Sequence, residues 1–280
     1  MKRERSLSGF GISRLVASDH GKIKTMIVFV AGMYRSGSTW TYNVVRAIHE
    51  AKSYSVLPKL IPVDEKILIN NALLSMQKEN EVYCIKTHFA LKNPLPTRHS
   101  VKIICNIRDV RDACLSFVRF MHADFEVGVN AMKNMMDNSD HYLSTFKDNL
   151  LVVRFEDLTN TPLTVIERTC DFLGIDLSVS EKQTILAKHD KSNIQNEIGK
   201  LSNIKVDDKG HVIGEENNSR FNTVKNSDGT YRVYDVATAF QSNHITSNKD
   251  GEWRTYFDKN QIDRINDLSK EWLLKHGYEN

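Results

Sequence analysis

Residues 26–40 read Met26-Ile-Val-Phe-Val-Ala-Gly-Met-Tyr-Arg-Ser-Gly-Ser-Thr-Trp40, an apolar run followed by a polar loop that contains two glycines. The apolar run predicts a buried β-strand, and a helical pattern begins where the loop ends. Such a loop binds anions, because the free N–H groups and the positive end of the helix dipole point into it. Gly32 and Gly37 let the backbone turn tightly and approach a phosphate closely. We therefore predict a phosphate- or sulfate-binding loop.

This loop differs from an ATP-binding loop at one position. The P-loop pattern Gly-x-x-x-x-Gly-Lys-[Ser/Thr] is matched at Gly32, Gly37 and Thr39, but Ser38 stands where the lysine should be. In ATPases and kinases that lysine contacts the β- and γ-phosphates, so its absence argues against ordinary γ-phosphoryl transfer. Hydroxyl donors and the fixed charge of Arg35 still favour an anionic ligand. A purely structural turn is the alternative for the loop alone.

Length and composition are those of an ordinary globular enzyme. The chain has 280 residues, of which 40% are hydrophobic and 26% charged, enough for one large α/β domain or two small ones. The net charge of +3 is too small to indicate a nucleic-acid partner and suits a local basic pocket for a polyanionic small ligand. No apolar run approaches the roughly 20 residues that span a bilayer, so no membrane partner is expected. Residues 1–25 predict a basic, mobile N-terminal tail.

Four apolar runs, each followed by polar loops and helical stretches, predict a central parallel sheet covered by helices. These runs are 26–31, 82–85, 101–107 and 150–155, and helices are predicted at 39–51, 109–122, 162–173 and 260–276. The simplest organisation is one domain over 26–280, in which the polar stretch 194–250 is a loop-rich insert. The cysteines contain no C-x-x-C pair, so buried free thiols in a reducing, cytoplasmic compartment are expected.

Two further constellations follow predicted strands. Arg108 lies at the carboxyl end of one strand, where open parallel sheets bind ligands, and Ser116 follows about two helical turns later. This pair suits a second phosphate; the alternative is a solvated ion-pair cluster formed by Arg108, Asp109, Arg111 and Asp112. The segment Lys86-Thr-His88 ends another strand at the same presumed sheet edge. His88 is therefore a candidate general base at neutral pH.

Taken in order, these segments resemble the sulfotransferases that use 3′-phosphoadenosine 5′-phosphosulfate (PAPS). The family's Pro-Lys-Ser-Gly-Thr-x-Trp loop is similar to Tyr34-Arg-Ser-Gly-Ser-Thr-Trp40, and its Lys-Thr-His segment to Lys86-Thr-His88. Its arginine and serine eight residues apart match Arg108 and Ser116. Its Tyr-Glu-Asp-Leu, Phe-Leu-Gly and Gly-x-Trp segments are matched by 155–158, 172–174 and 251–253. These matches span residues 27–277.

The resemblance implies a single α/β domain of the P-loop nucleoside triphosphatase type with no required metal. Arg35 would replace the family's lysine at the leaving phosphosulfate, and Lys86 would hold the transferring sulfonate. His88 would take the acceptor's proton during in-line attack. Arg108 and Ser116 would bind the 3′-phosphate. The remaining donor-binding positions implied are Ser36, Gly37, Ser38 and Thr39 for the 5′-phosphate, and Trp40 for the adenine.

Two departures from the family pattern concern the nucleotide. Phe155 replaces the tyrosine of Tyr-Glu-Asp-Leu, so a hydroxyl contact near the nucleotide is lost. The family's Arg-Lys-Gly before Gly-x-Trp is replaced by Thr246-Ser-Asn248. Ser247, Asn248 and the neighbouring Lys249 are therefore the candidates for the second half of the 3′-phosphate site.

The expected activity is transfer of the sulfonate from PAPS to a hydroxyl or amine of a small-molecule acceptor. Loops at 120–145 and 194–245 would shape the acceptor pocket, and a homodimer is a further expectation that the sequence leaves open. Three alternatives remain at this point: a P-loop nucleotide kinase, a sulfotransferase that acts on a glycan or peptide, and a non-catalytic nucleotide- or sulfate-binding module.

Overall fold

A computed structural model describes residues 26–61, 80–91, 100–214, 218–244 and 250–278. The predicted N-terminal tail lies outside these ranges. Within them, no helix is long and apolar enough to cross a membrane. All four cysteines, Cys84, Cys105, Cys114 and Cys170, are buried free thiols, as predicted.

The described core is a five-stranded sheet in the order β2-β3-β1-β4-β5, and every pair in it is parallel. Its strands are β1 (Met26–Gly32), β2 (Ser55–Leu57), β3 (Glu81–Thr87), β4 (Ser100–Ile107) and β5 (Leu150–Arg154). The central parallel sheet is thus confirmed. The edge strand β2 was missed, because three residues are too few to show a period. β5 ends one residue before Phe155, which begins a helix.

Helices flank this sheet, and the four predicted ones are present within one or two residues of their expected ends. The helices of the described chain are α1 (Ser38–Ala51), α2 (Val110–Met121), α3 (Phe125–Thr145), α4 (Phe155–Asn160), α5 (Pro162–Leu173), α6 (Val179–Lys188), α7 (Lys191–Ser202), α8 (Trp253–Tyr256) and α9 (Lys259–Lys275). The long helix α3 was not predicted, and the expectation that residues 120–145 form a loop was wrong, because 125–145 are helical. Its buried side, which includes Val129, Met132 and Met135, is interrupted by polar residues and carries a weak apolar pattern.

The polar stretch 194–250 contains more regular structure than its composition indicated. Most of α7 lies within it, and an antiparallel hairpin follows, formed by β6 (Phe221–Lys225) and β7 (Tyr231–Asp235). The hairpin buries Val233 and Arg232. Its tip, Asn226 to Thr230, contains Gly229 in the left-handed region. A single short hairpin has too few apolar residues to stand out in sequence.

The ends of β1 and β4 meet closely at Gly32. A Cβ built on Gly32 would lie 2.9 Å from Asn106 Cβ and 3.1 Å from the Asn106 carbonyl oxygen. That same carbonyl accepts a hydrogen bond from the Met33 amide at 3.0 Å. The glycine is needed here for this close approach, and it sets the start of the anion loop against β4.

We predict that Gly32→Ala destabilises the fold by about 1–3 kcal/mol, because the added methyl overpacks a well-filled strand pair. Chemical unfolding with urea measures the change. The matched control is Gly199→Ala in the middle of α7, where an added Cβ meets nothing within 4 Å. That control should gain about 0.5–1 kcal/mol, because alanine favours a helix over glycine. Equal effects of the two substitutions would contradict the close-packing argument.

Candidate active site

The loop between β1 and α1 is built to receive an anion. Arg35 and Gly37 both adopt left-handed backbone conformations, with φ of 65° and 79°. The buried Ser36 hydroxyl donates to the Met33 carbonyl at 2.7 Å, so this side chain holds the loop in shape. No acidic residue occupies the first turn of α1, and the first N–H groups of a helix have no intrahelical partner. The loop therefore presents backbone donors and a positive dipole to a ligand.

Three adjacent strands deliver the predicted site residues to one edge of the sheet. β1 lies between β3 and β4. In the pairing of β1 with β3, Lys86 lies beside Val30. The carboxyl ends of these strands carry Lys86 and His88 from β3, Arg35 from β1, and Arg108 from β4. This edge is where open parallel sheets bind their ligands.

Arg35 is fixed by three different groups. Its Nε donates to Ser116 Oγ at 3.0 Å, and an Nη donates to the backbone carbonyl of His244. Its guanidinium carbon lies 4.2 Å from the centre of the Phe120 ring. Burial, reinforced by the charges of Arg108 and Arg232, lowers the pKa of Arg35 to about 9. An anion placed beside Arg35 would relieve that electrostatic cost.

Ser116 thus contacts Arg35, whereas the sequence predicted a shared role with Arg108 in holding a phosphate. Ser116 lies in the second turn of α2, and its hydroxyl accepts a hydrogen bond from the long side chain of Arg35. Ser116 is 2% exposed, so its hydroxyl is held inside the site.

His88 is neutral and has a defined tautomer. Its Nδ1 lies 2.9 Å from the Gly32 carbonyl oxygen, and because a carbonyl only accepts, Nδ1 carries the hydrogen. Its Nε2 consequently has a lone pair, which accepts from the Lys86 ammonium at 2.7 Å. Burial first, and then the charge of Lys86, lowers the pKa of His88 well below its usual value. The ring of Tyr34 stacks on the imidazole at 4.3 Å.

Arg108 is a buried cation with spare hydrogen-bonding capacity. Its side chain is 3% exposed, and its Nε and Nη2 have no hydrogen-bond partner. An Nη1 donates weakly to the Arg35 carbonyl at 3.3 Å, and the guanidinium packs over Phe155 at 4.0 Å. Donors this deeply buried that make no hydrogen bond are uncommon, and on a cation they suit an anionic ligand.

The alternative interpretation, a solvated ion-pair cluster, applies to the neighbouring arginine. Arg111 forms a bidentate pair with Asp109, with Nη2 to Oδ2 at 2.7 Å, and packs over Trp253. Arg111 is 1% exposed, so the arginine of this pair is buried and its role is structural. Arg108 takes no part in this pair.

The other predicted site residues lie at or outside this edge. Trp40 is buried and donates its indole N–H to the His189 carbonyl at 2.8 Å, which anchors α1 in the core. Ser38 and Thr39 are buried in the first turn of α1. Ser247, Asn248 and Lys249 lie outside the described residues.

Three residues at the site, Phe120, Arg232 and His244, were not singled out in the sequence, although all three lie within the segments 120–145 and 194–245 that were expected to shape the acceptor pocket. His244 stacks on Phe120 with 5.4 Å between ring centres, and its buried Nδ1 has no hydrogen-bond partner. Arg232 packs against the same phenyl ring at 4.3 Å, so Phe120 contacts two guanidinium groups. Both polar residues come from the hairpin region, more than 100 residues beyond the loop at β1. Only the folded chain brings them together.

Asp112 ties the chain near Gly251 to helix α2. Both carboxylate oxygens accept from the Gly251 amide, at 3.1 and 3.0 Å, and the side chain is buried. Burial raises the pKa of Asp112 to about 6, although the Gly251 hydrogen bond and the Arg108 charge oppose that rise. This contact fixes the segment that leads into α8.

Comparison with known proteins identifies the family. A family model described as a sulfotransferase domain matches residues 26–277. The chain is 25% identical over 292 residues to a flavonol 3-sulfotransferase of Flaveria bidentis, covering 94% of this chain and 87% of that protein. A mouse sulfotransferase complexed with PAP has a similar fold, with a TM-score of 0.57 at 15% identity over 89% of this chain and 84% of that one. A retinol dehydratase complexed with retinol and PAP gives a TM-score of 0.56 at 19% identity, over 89% and 81%.

The chain belongs to the sulfotransferase family. The predicted enzyme class and the predicted α/β fold are confirmed, and the nucleotide-kinase alternative is not favoured. Among the described residues, no cluster of His, Cys, Asp or Glu is arranged to hold a metal ion.

The raised pKa of Asp112 predicts how the free energy of unfolding changes with pH. Between pH 4 and pH 6 the folded protein binds more protons at this carboxyl than the unfolded chain, so its contribution to the free energy of unfolding falls as the pH rises. Asp112→Asn removes this term. The variant should therefore gain stability relative to the parent on going from pH 4 to pH 7, by up to roughly 2 kcal/mol.

Urea unfolding of both proteins across that pH range measures this effect. Asp267→Asn, at an exposed position on α9, is the matched control and should leave the pH dependence of stability unchanged. Parallel curves for the parent and Asp112→Asn would contradict the prediction.

Proposed function

We propose that this sulfotransferase moves the sulfonate of PAPS to a hydroxyl or amine of a small-molecule acceptor. The observation that carries the proposal is the buried Arg108, two of whose nitrogens make no hydrogen bond, beside a separate anion loop that contains Arg35. Two cationic sites joined at one sheet edge match a donor with charged groups at both its 5′ and 3′ positions. An ordinary nucleoside triphosphate has no 3′-phosphate to use the second site.

The residues present fit such a donor. The loop at Ser36–Thr39 and the start of α1 would hold the 5′-phosphate through backbone N–H groups. Arg108 would bind the 3′-phosphate, with Phe155 supporting the guanidinium plane in place of the family's tyrosine. The donor supplies a sulfonate already attached to a phosphate leaving group, so the transfer needs no redox cofactor.

Three side chains would carry the transfer step. Arg35, held by Ser116 and the His244 carbonyl, is placed to neutralise charge on the bridging oxygen as the S–O bond breaks. Lys86 would stabilise the sulfonate oxygens. When the Lys86 ammonium turns from His88 to the sulfonate, the Nε2 lone pair of His88 would become free. It would then take the proton from the acceptor as the acceptor's oxygen or nitrogen attacks sulfur. The Gly32 carbonyl holds the imidazole in the required tautomer.

The acceptor class is supported by the aromatic side chains beside His88 and Arg35 and by the relatives. Tyr34, Phe117 and Phe120 form an aromatic group around His88 and Arg35, which suits a flat or apolar acceptor. The plant relative is a flavonol sulfotransferase. A small-molecule acceptor in the cytoplasm is therefore proposed over a glycan or peptide. The predicted homodimer stays a prediction.

Binding of adenosine 3′,5′-bisphosphate (PAP), compared with adenosine 5′-phosphate, tests the proposal. Calorimetry should show clearly tighter binding of PAP. Arg108→Ala should weaken PAP binding about 10–100-fold, because it removes charge-assisted hydrogen bonds worth roughly 1.5–3 kcal/mol. Binding of adenosine 5′-phosphate should change little.

Arg168→Ala, at an exposed arginine on α5, is the control and should bind both nucleotides like the parent. The proposal fails if ATP with magnesium binds far more tightly than PAP. It also fails if no member of a panel of phenols, alcohols and amines is sulfonated with PAPS.

For the transfer step, we predict that Arg35→Ala and His88→Ala each lower kcat by roughly 10²–10⁴-fold, with much smaller losses in PAP affinity. The assay uses the best acceptor of that panel and measures the PAP formed. His211→Ala, at an exposed histidine, is the control. Because the pKa of His88 is lowered, the parent's rate should show no acidic limb near pH 6.5. Near-normal turnover of His88→Ala would remove His88 as the base.

A further inference from the structure

Arg108 already has a carboxylate beside it. Its Nη2 lies 3.6 Å from Asp250 Oδ1, and within the described residues this is the ion pair that Arg108 forms. The two side chains differ sharply in exposure: Arg108 is 3% exposed, whereas Asp250 is 61% exposed. The Arg108 guanidinium is thus held inside the protein, whereas the Asp250 carboxylate lies at the surface and can turn into solvent.

The backbone next to Asp250 is held in place. Gly251 adopts φ of 79°, and its amide donates to both oxygens of the buried Asp112. On its other side, Glu252 accepts from Arg119 at 2.8 Å. These contacts keep the main chain of residues 250–252 against α2. Asp250 is therefore delivered to Arg108 by an anchored segment, while its own side chain remains free to rotate.

We propose that Asp250 stands in for the 3′-phosphate at Arg108, so that the nucleotide must displace this carboxylate in order to bind. The inference rests on the proposed function and adds a residue that sets donor and product affinity. Asp250 would lower the affinity for any nucleotide with a 3′-phosphate and leave other nucleotides almost unaffected.

Electrostatics gives the direction of the effect. A 3′-phosphate at Arg108 would lie within a few ångströms of the Asp250 carboxylate, and two anions at that distance repel. Because Asp250 is exposed, it can turn into solvent, so the cost is partial and is screened by salt. Asp250 also partly offsets the charge of Arg108 between turnovers, without a hydrogen bond to it. It should therefore speed release of the product, PAP.

The experiment measures the affinities of the parent and Asp250→Asn for PAP and for adenosine 5′-phosphate by calorimetry. The expected result is PAP binding roughly 3–10-fold tighter in the variant, about 0.7–1.4 kcal/mol, with less than a twofold change for adenosine 5′-phosphate. The gain should shrink when the salt concentration rises from about 20 mM to about 300 mM. Asp250→Ser is a second variant with the same expected direction.

Asp267→Asn removes the same charge from a distant exposed position and should leave both affinities unchanged. An unchanged or weaker PAP affinity in Asp250→Asn overturns the inference, as does an equal gain for both nucleotides. In either case the parent's preference for PAP would leave the proposed function standing. If the parent itself shows no preference for PAP, the proposed function fails, and this inference fails with it.

Discussion

The site depends on the cost of keeping positive charge at one buried sheet edge. Arg35, Lys86 and Arg108 reach that edge from three adjacent strands. Arg35 is held by a carbonyl, a hydroxyl and an aromatic ring, and the carboxylate beside Arg108 is the exposed Asp250, 3.6 Å away. A carbonyl, a hydroxyl and a ring orient a cation without neutralising it, so a ligand with two separated anionic groups gains free energy by pairing with Arg35 and by replacing Asp250 at Arg108.

Aromatic side chains stabilise the closely spaced cations at this edge. Phe120 contacts the guanidinium groups of both Arg35 and Arg232, and Phe155 supports Arg108. A ring face attracts a cation through its quadrupole and excludes water, but it adds no negative charge that would compete with a phosphate. Phe155, which stands where the family pattern has a tyrosine, supplies a ring face to Arg108 and no hydroxyl.

The local parts of the fold and site could be predicted from sequence, and the long-range parts could not. Hydrophobic pattern and backbone chemistry predict a buried strand, a glycine-containing loop and the start of a helix within 15 residues. The positions of Arg108 and His88 at this sheet edge could be predicted for the same reason, because each directly follows a strand. The placement of His244 and Asp250 depends on how the hairpin region folds back over the sheet edge, and that path is decided by tertiary packing. The sequence singled out Ser116 but paired it with Arg108. Its hydrogen bond to Arg35 was not predicted, because residue spacing does not show how far a side chain extends.

The strand order also has a consequence for how the chain is made. β1 is central, yet its neighbours β3 and β4 are synthesised 50 to 75 residues later. At roughly 5–20 residues per second, the apolar strand leaves the ribosome with both edges unpaired for several seconds. An unpaired apolar strand is a template for wrong pairing. The same order that gathers the charges at one edge therefore leaves β1 open to wrong pairing until β4 has been synthesised to Ile107.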